Sequence, residues 1–157
     1  MNQGSVKAIF GFVFGIAICV FLQFVVFDNI GQAFSEKVSS YSTTINSVGN
    51  NVLLNTMVEQ VNKSCPITLD AETRMDGAEV ISNDKIQFNY TLTQKEQHEV
   101  DAASLQARVQ PILLENMKSN ASFEVLRTQK ITVVFNYKDK NGVSIFKIVI
   151  TPQQYTN

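Results

Sequence analysis

The run Val133-Val134-Phe135-Asn136-Tyr137-Lys138-Asp139-Lys140-Asn141-Gly142-Val143-Ser144-Ile145-Phe146-Lys147-Ile148-Val149-Ile150 decides the fold. Asn141-Gly142 is a two-residue hairpin signal. Folding the chain about it sets Tyr137 opposite Phe146, Phe135 opposite Ile148 and Val133 opposite Ile150. Every pair is apolar, and because alternate residues of a strand share a face, all six side chains lie together. The reverse face carries Thr132, Asn136, Lys138 and Lys147, with Val134 and Val149 as apolar exceptions. A slip of one residue would turn the apolar set to solvent, so the register is specified.

Upstream, Met75 to Leu92 reads as a first hairpin. Ile86, Phe88, Tyr90 and Leu92 alternate with Gln87, Asn89 and Thr91, and Ala78 and Val80 supply the partner face across a turn near Asn83-Asp84. Between the hairpins, residues 101 to 119 have a helical pattern: Asp101 is a suitable N-cap, and Leu105, Val109, Ile112, Leu113 and Met117 share a face. Pro111 falls inside it and predicts a kink or a break. Strands paired as hairpins with a helix on one face predict an α+β domain, β-β-α-β-β, with an antiparallel sheet.

Residues 8 to 27 contain no charged side chain. About 20 such residues, rising ~1.5 Å each, span the ~30 Å hydrocarbon core of a bilayer as a helix. A signal peptide cut after Ala33 is the alternative, with Gly31 and Ala33 at the positions a peptidase reads, but the apolar run is longer than the usual signal core. A lipoprotein signal fails because Ile18 precedes Cys19. Lys7 before the segment, against Asp28, Glu36 and Lys37 after it, places the N-terminus inside and the rest beyond the cytoplasmic (inner) membrane. Gly11 and Gly15 form a GxxxG pair; Ala8, Cys19 and Gln23 extend the stripe, a pattern that favours association of membrane helices.

The spacing of Phe34, Val38, Tyr41, Ile45, Val48 and Val52 is that of a heptad seam. It predicts that the membrane helix continues as an amphipathic stalk, which would reach on the order of 50 Å over residues 28 to 63. Gly49 opposes this by about 1 kcal/mol relative to alanine. The seam has three candidate partners: a second copy, another protein, or the chain's own domain. Cys65-Pro66 ends the stalk. The expected organisation is a tail (1–7), a transmembrane helix (8–27), a stalk (28–64) and an external domain (65–157).

The chain has 157 residues and a formal net charge of -1, which gives no basic face for nucleic acid. Cys19 and Cys65 lie too far apart in this organisation to pair, leaving Cys65 as a candidate intermolecular thiol. Asp70 to Gly77 invites a calcium-loop reading, but the fifth, sixth and twelfth positions are Arg74, Met75 and Ile81, which cannot serve. His98 is the only histidine and sits in a polar run, so a histidine-based zinc site is excluded. No catalytic set, metal ligands or cofactor motif is read from the sequence. Acidic residues Asp70, Glu72, Asp76, Glu79 and Asp84 gather at the first hairpin. Lys118, Arg127, Lys130, Lys138, Lys140 and Lys147 dominate the C-terminal part.

The stretch Val61 to Arg74, with Cys65-Pro66-Ile67-Thr68-Leu69-Asp70 at its centre, and the Tyr90-Thr91-Leu92 strand resemble small uncharacterised bacterial proteins. These combine an N-terminal membrane segment with a short external α+β domain. The likeness covers about residues 58 to 151. It implies a bacterial envelope setting and transfers no activity or site residue. Such relatives carry cysteines late in the domain, and this chain has none there, so any disulfide they use is absent. The architecture leads to a membrane-anchored, non-catalytic interaction or assembly module. Two alternatives are an immunity-type inhibitor of a toxin and an envelope enzyme dependent on Cys65 or the carboxylates near Asp70.

Overall fold

The computed structural model describes residues 49–156. Helix α1 (Asn50–Ser64) leads into strand β1 (Ile67–Thr68) and a hairpin of β2 (Thr73–Ser82) and β3 (Lys85–Leu92). Helix α2 (Ala102–Ser119) and the short α3 (Glu124–Thr128) follow. A second hairpin, β4 (Thr132–Lys138) and β5 (Ser144–Ile150), precedes a terminal turn of helix, α4 (Pro152–Tyr155). The sheet has the order β1-β2-β3-β4-β5.

Both hairpins form, the second in the expected register. Val133 pairs with Ile150, Phe135 with Ile148 and Tyr137 with Phe146; Ala78 pairs with Phe88 and Val80 with Ile86. The α+β class therefore stands, but the sheet is mixed and not antiparallel, because β3 and β4 run parallel. The cause is α2. Its 18 residues extend about 27 Å, close to the ~26 Å of an eight-residue strand. The helix thus carries the chain back to the end of the sheet where β3 began. A crossover of that length is what parallel neighbours require.

The turn of the second hairpin also differs from expectation. Asp139 N–H donates to Val143 O at 2.8 Å, Gly142 N–H donates to Asp139 O at 3.0 Å, and only Gly142 has a positive φ, 83°. This is a three-residue loop with glycine in the left-handed position, not the two-residue turn, which needs both central residues at positive φ. Pro111 does not break α2, which is continuous through it. Pro111 and Ala107, whose carbonyl its missing N–H would have met, both face water, so the solvent satisfies the freed oxygen. Asp101 caps α2 as expected, Oδ1 accepting from Ser104 N–H at 3.1 Å.

One face of the sheet is apolar. Met75, Ile86, Phe88, Tyr90, Val133, Phe135, Ile148 and Ile150 form a single cluster with Leu54, Met57 and Val61 of α1 and Leu105, Val109, Leu113 and Met117 of α2. Two helices therefore cover this face where one was expected. The stalk assignment changes accordingly at its C-terminal end. Residues 50–64 are packed into the domain, and Gly49 is extended (φ -57°, ψ 153°), so no continuous helix passes through it. Glycine's helix penalty outweighs the heptad pattern at that point. Val52, the last seam residue, is 57% exposed. The other seam residues Phe34, Val38, Tyr41, Ile45 and Val48 lie outside the described residues. So do the segment 8–27 and its stripe Ala8, Gly11, Gly15, Cys19 and Gln23. Among the described residues no helix is long and apolar enough to cross a membrane.

The C-terminus is latched onto the core. Tyr155 is buried, and its hydroxyl donates to Ile131 O at 2.9 Å and Leu126 O at 3.3 Å.

Candidate functional site

The sheet face turned away from α1 and α2 is polar and knitted together by side chains. Gln87 Nε2 donates to Glu79 Oε1 at 2.6 Å and to Asn89 Oδ1 at 3.0 Å, and Asn89 Nδ2 donates to the same Glu79 oxygen at 3.0 Å. Asn136 Nδ2 donates to Asn89 Oδ1 at 2.8 Å, and Ser144 Oγ to Asn136 Oδ1 at 3.2 Å. Lys147 Nζ reaches across β4 to Gln87 Oε1 at 3.1 Å. The network thus runs from β2 to β5. It follows from alternation: residues that share a face repeat every second position, and Gln87, Asn89, Asn136 and Lys147 fall on the one opposite the core.

A β-bulge between Met75 and Gly77 sets two residues of β2 against Asn89. Asp76 shares the polar face with Arg74, and the bulge shifts the alternation so that Ala78 joins Met75 in the core. There Asp76 Oδ1 accepts from Arg74 Nε at 2.6 Å and Oδ2 from Thr91 Oγ1 at 2.5 Å. A shallow recess of about 360 Å³ opens beside it, lined by Asn62, Asp76, Gly77, Ala78, Glu79, Asn89 and Lys138. Asn62 comes from α1. Its Oδ1 accepts from Ala78 N–H at 2.7 Å and its Nδ2 donates to Ala78 O at 3.0 Å, so the side-chain amide stands where a neighbouring strand's peptide would stand. Nothing in the local sequence pattern marks Asn62 for this role.

The residues singled out for chemistry serve structure or stand apart. Asp70 Oδ1 accepts from the N–H groups of Glu72 and Thr73, both at 2.7 Å, and orders the turn into β2. The His98 side chain is 78% exposed, with Nδ1 3.5 Å from Glu96 Oε2. Cys65 is a free, half-buried cysteine. Burial, with the negative charge of Asp76 added, pushes its thiol up to about 11. At neutral pH it is a thiol, with about one molecule in ten thousand ionised. Alkylation of Cys65 by iodoacetamide is expected to quicken about tenfold per pH unit from pH 7 towards 10. A rate that levels off near pH 8.5 would show an unperturbed thiol instead.

Asp139 is buried at the tip of the second hairpin. Its Oδ1 accepts from the N–H groups of Asn141 and Val143 at 2.8 Å, and its Oδ2 from Gln97 N–H at 3.1 Å. Burial alone would raise its pKa, but donation from Val143, Gln97 and Asn141 outweighs this and holds the carboxyl below the usual aspartate range. A depressed folded-state pKa adds stability that is fully present above the unfolded value of about 3.9 and disappears as pH falls through the lower folded value. Melting temperature should therefore drop below about pH 4. Asp139→Asn should melt lower than the parent at pH 7 and show a shallower acid slope. Glu99 and Asp101, which are lowered too, contribute to the slope that remains. Equal slopes for parent and variant would remove Asp139 from this account.

A family model, the domain of unknown function DUF8479, matches residues 50–146. The chain belongs to this family. The match begins at the first residue of α1, in keeping with that helix being part of the folded unit. A search of curated proteins finds no match. Among solved structures the fold is similar to that of a Pseudomonas aeruginosa protein inferred to be secreted, with a TM-score of 0.58 and 11% identity over 67% of this chain and 91% of that one. At that identity the likeness is one of fold, and the polar face of this family member has to be read on its own residues.

Proposed function

We propose that the chain is a non-catalytic interaction module of the bacterial cell envelope, held at the inner membrane by residues 8–27 with its α+β domain on the periplasmic or extracellular side. The observation that carries the reading is the polar face of the sheet. It is a broad surface of mixed charge, cross-linked from β2 to β5 by its own side chains, and therefore preorganised for a partner. The fate of the candidate reactive groups supports a binding role over the enzymatic alternative. Cys65 carries a raised pKa and Asp70 is committed to backbone amides. The similar fold of a protein inferred to be secreted and the resemblance to membrane-tethered bacterial proteins both favour the envelope setting. The anchor rests on the length and apolarity of residues 8–27.

Mild detergent extraction of the native membrane, followed by affinity purification of the full chain, tests the reading. A stable partner recovered in fixed proportion, and lost when the open face is altered by Asn89→Arg, is expected. Repeated recovery of the chain alone, in the soluble fraction, would overturn both the tether and the role.

A further inference from the structure

Asn141-Gly142, read first as a turn signal, carries a chemistry that the fold does not use. Asn141 is the only asparagine of the chain that is followed by glycine. Glycine has no Cβ, so nothing shields its backbone nitrogen from the side-chain amide before it. Both residues are exposed at the tip of the second hairpin. Asn62, Asn89, Asn120 and Asn136 differ on two counts. A residue with a side chain follows each of them, and each side-chain amide is held by a hydrogen bond.

We propose that Asn141 is a site of spontaneous modification, converted by water to aspartate or isoaspartate, and that Asp139 guards it. The Gly142 nitrogen, having lost its proton to solvent hydroxide, attacks Asn141 Cγ. The Cγ–Nδ2 bond breaks, Nδ2 takes up a proton and leaves as ammonia, and a cyclic imide closes. Water then opens the ring at one carbonyl to give aspartate, or at the other to give isoaspartate. A water enters and an ammonia leaves, with no oxidation or reduction. The fold restrains the first step. Gly142 N–H donates to Asp139 O at 3.0 Å, and Asp139 Oδ1 holds the N–H groups of Asn141 and Val143, both at 2.8 Å. Asp139 Oδ2 is itself tied to Gln97 N–H at 3.1 Å. The attacking nitrogen is therefore engaged, and the ring closes only when the tip opens, so the rate follows the open population. Isoaspartate adds a carbon to the main chain of this short loop and leaves a new carboxylate near that of Asp139. Gly142 and Val143 then lose their places against Asp139. The disturbance reaches the open face, because Ser144, the next residue, bonds Asn136 there.

The test is to warm the full chain in mild detergent, digest it at intervals and follow the peptide containing residue 141 by mass spectrometry, with a methyltransferase specific for isoaspartate as the label. That peptide should gain the mass of an amide-to-acid exchange and take the label ahead of those containing Asn62, Asn89, Asn120 and Asn136, while Asn141→Gln shows neither change. Asp139→Ala should quicken the conversion about tenfold, with faster hydrogen exchange at residues 139–143 and unchanged exchange in the core strands. The parent supplies a second reading that needs no variant. Urea below the unfolding transition should speed exchange of the tip and conversion of Asn141 in proportion. Conversion that appears first at Asn62, Asn89, Asn120 or Asn136, or a rate at Asn141 that does not follow the opening of the tip, would overturn the proposal.

Discussion

Gly77→Ala is expected to destabilise the domain by about 2–3 kcal/mol, lowering the melting temperature by roughly 10–20 °C. Two effects combine. Gly77 has φ 154°, outside the range L-residues adopt comfortably. A Cβ there would also stand 2.6 Å from Asn62 Oδ1. Asn62 cannot swing aside without releasing both the N–H and the C=O of Ala78, each bond contributing about 0.5–1.5 kcal/mol. A double-mutant cycle separates the two effects. Removing the amide with Asn62→Ala relieves the collision but not the backbone strain, so Gly77→Ala should cost less in that background, by about 1 kcal/mol or more. A Gly77→Ala variant that melts within about 2 °C of the parent would mean that the bulge and its helix contact are looser than the geometry requires.

Phe135→Ala is expected to have the largest effect of any single truncation, about 4 kcal/mol, a large part of the roughly 5–15 kcal/mol that holds a domain folded. Phe135 is 1% exposed at the centre of the apolar face. Its ring centroid lies 5.9 Å from that of Phe88 and 6.4 Å from that of Tyr90. The loss combines transfer energy with a cavity that the flanking strands cannot close, because β4 is paired on both sides. Val149→Ala, on the opposite face of the adjacent strand and largely exposed, should change stability by less than about 0.5 kcal/mol. Urea unfolding of the two variants checks the contrast. Similar midpoints for both would mean that the aromatic face is not the core.

That contrast was legible in the sequence because strand alternation has a period of two. Tyr137, Phe135 and Val133 could meet Phe146, Ile148 and Ile150 in one register only, and the structure has it. The α2 face was legible for the same kind of reason, at helical period. The open polar face could be identified as the residues left over, although its hydrogen bonds could not. Asn62 and Asp139, which close an edge and hold a hairpin tip, gave no usable signal. Each binds backbone groups across a sequence separation of 16 or 42 residues, and a polar side chain's partner over such a distance depends on where two elements dock. The bulge at Asp76, which lets Met75 and Ala78 share the apolar face three residues apart, was equally hidden.

Local chemistry therefore determined the elements of this protein: its strands and their pairing within each hairpin, the capped helix between them, and an apolar N-terminal segment long enough for a bilayer. These depend on neighbours a few residues apart, where periodicity and turn residues act. Tertiary structure decided the rest. It turned β4 parallel to β3 because a helix as long as the strands intervened. It drew α1 into the core because Leu54, Met57 and Val61 found the sheet there, and it joined polar residues from four strands into one surface. Those outcomes depend on contacts between elements distant in the chain, whose energies no single stretch of sequence contains.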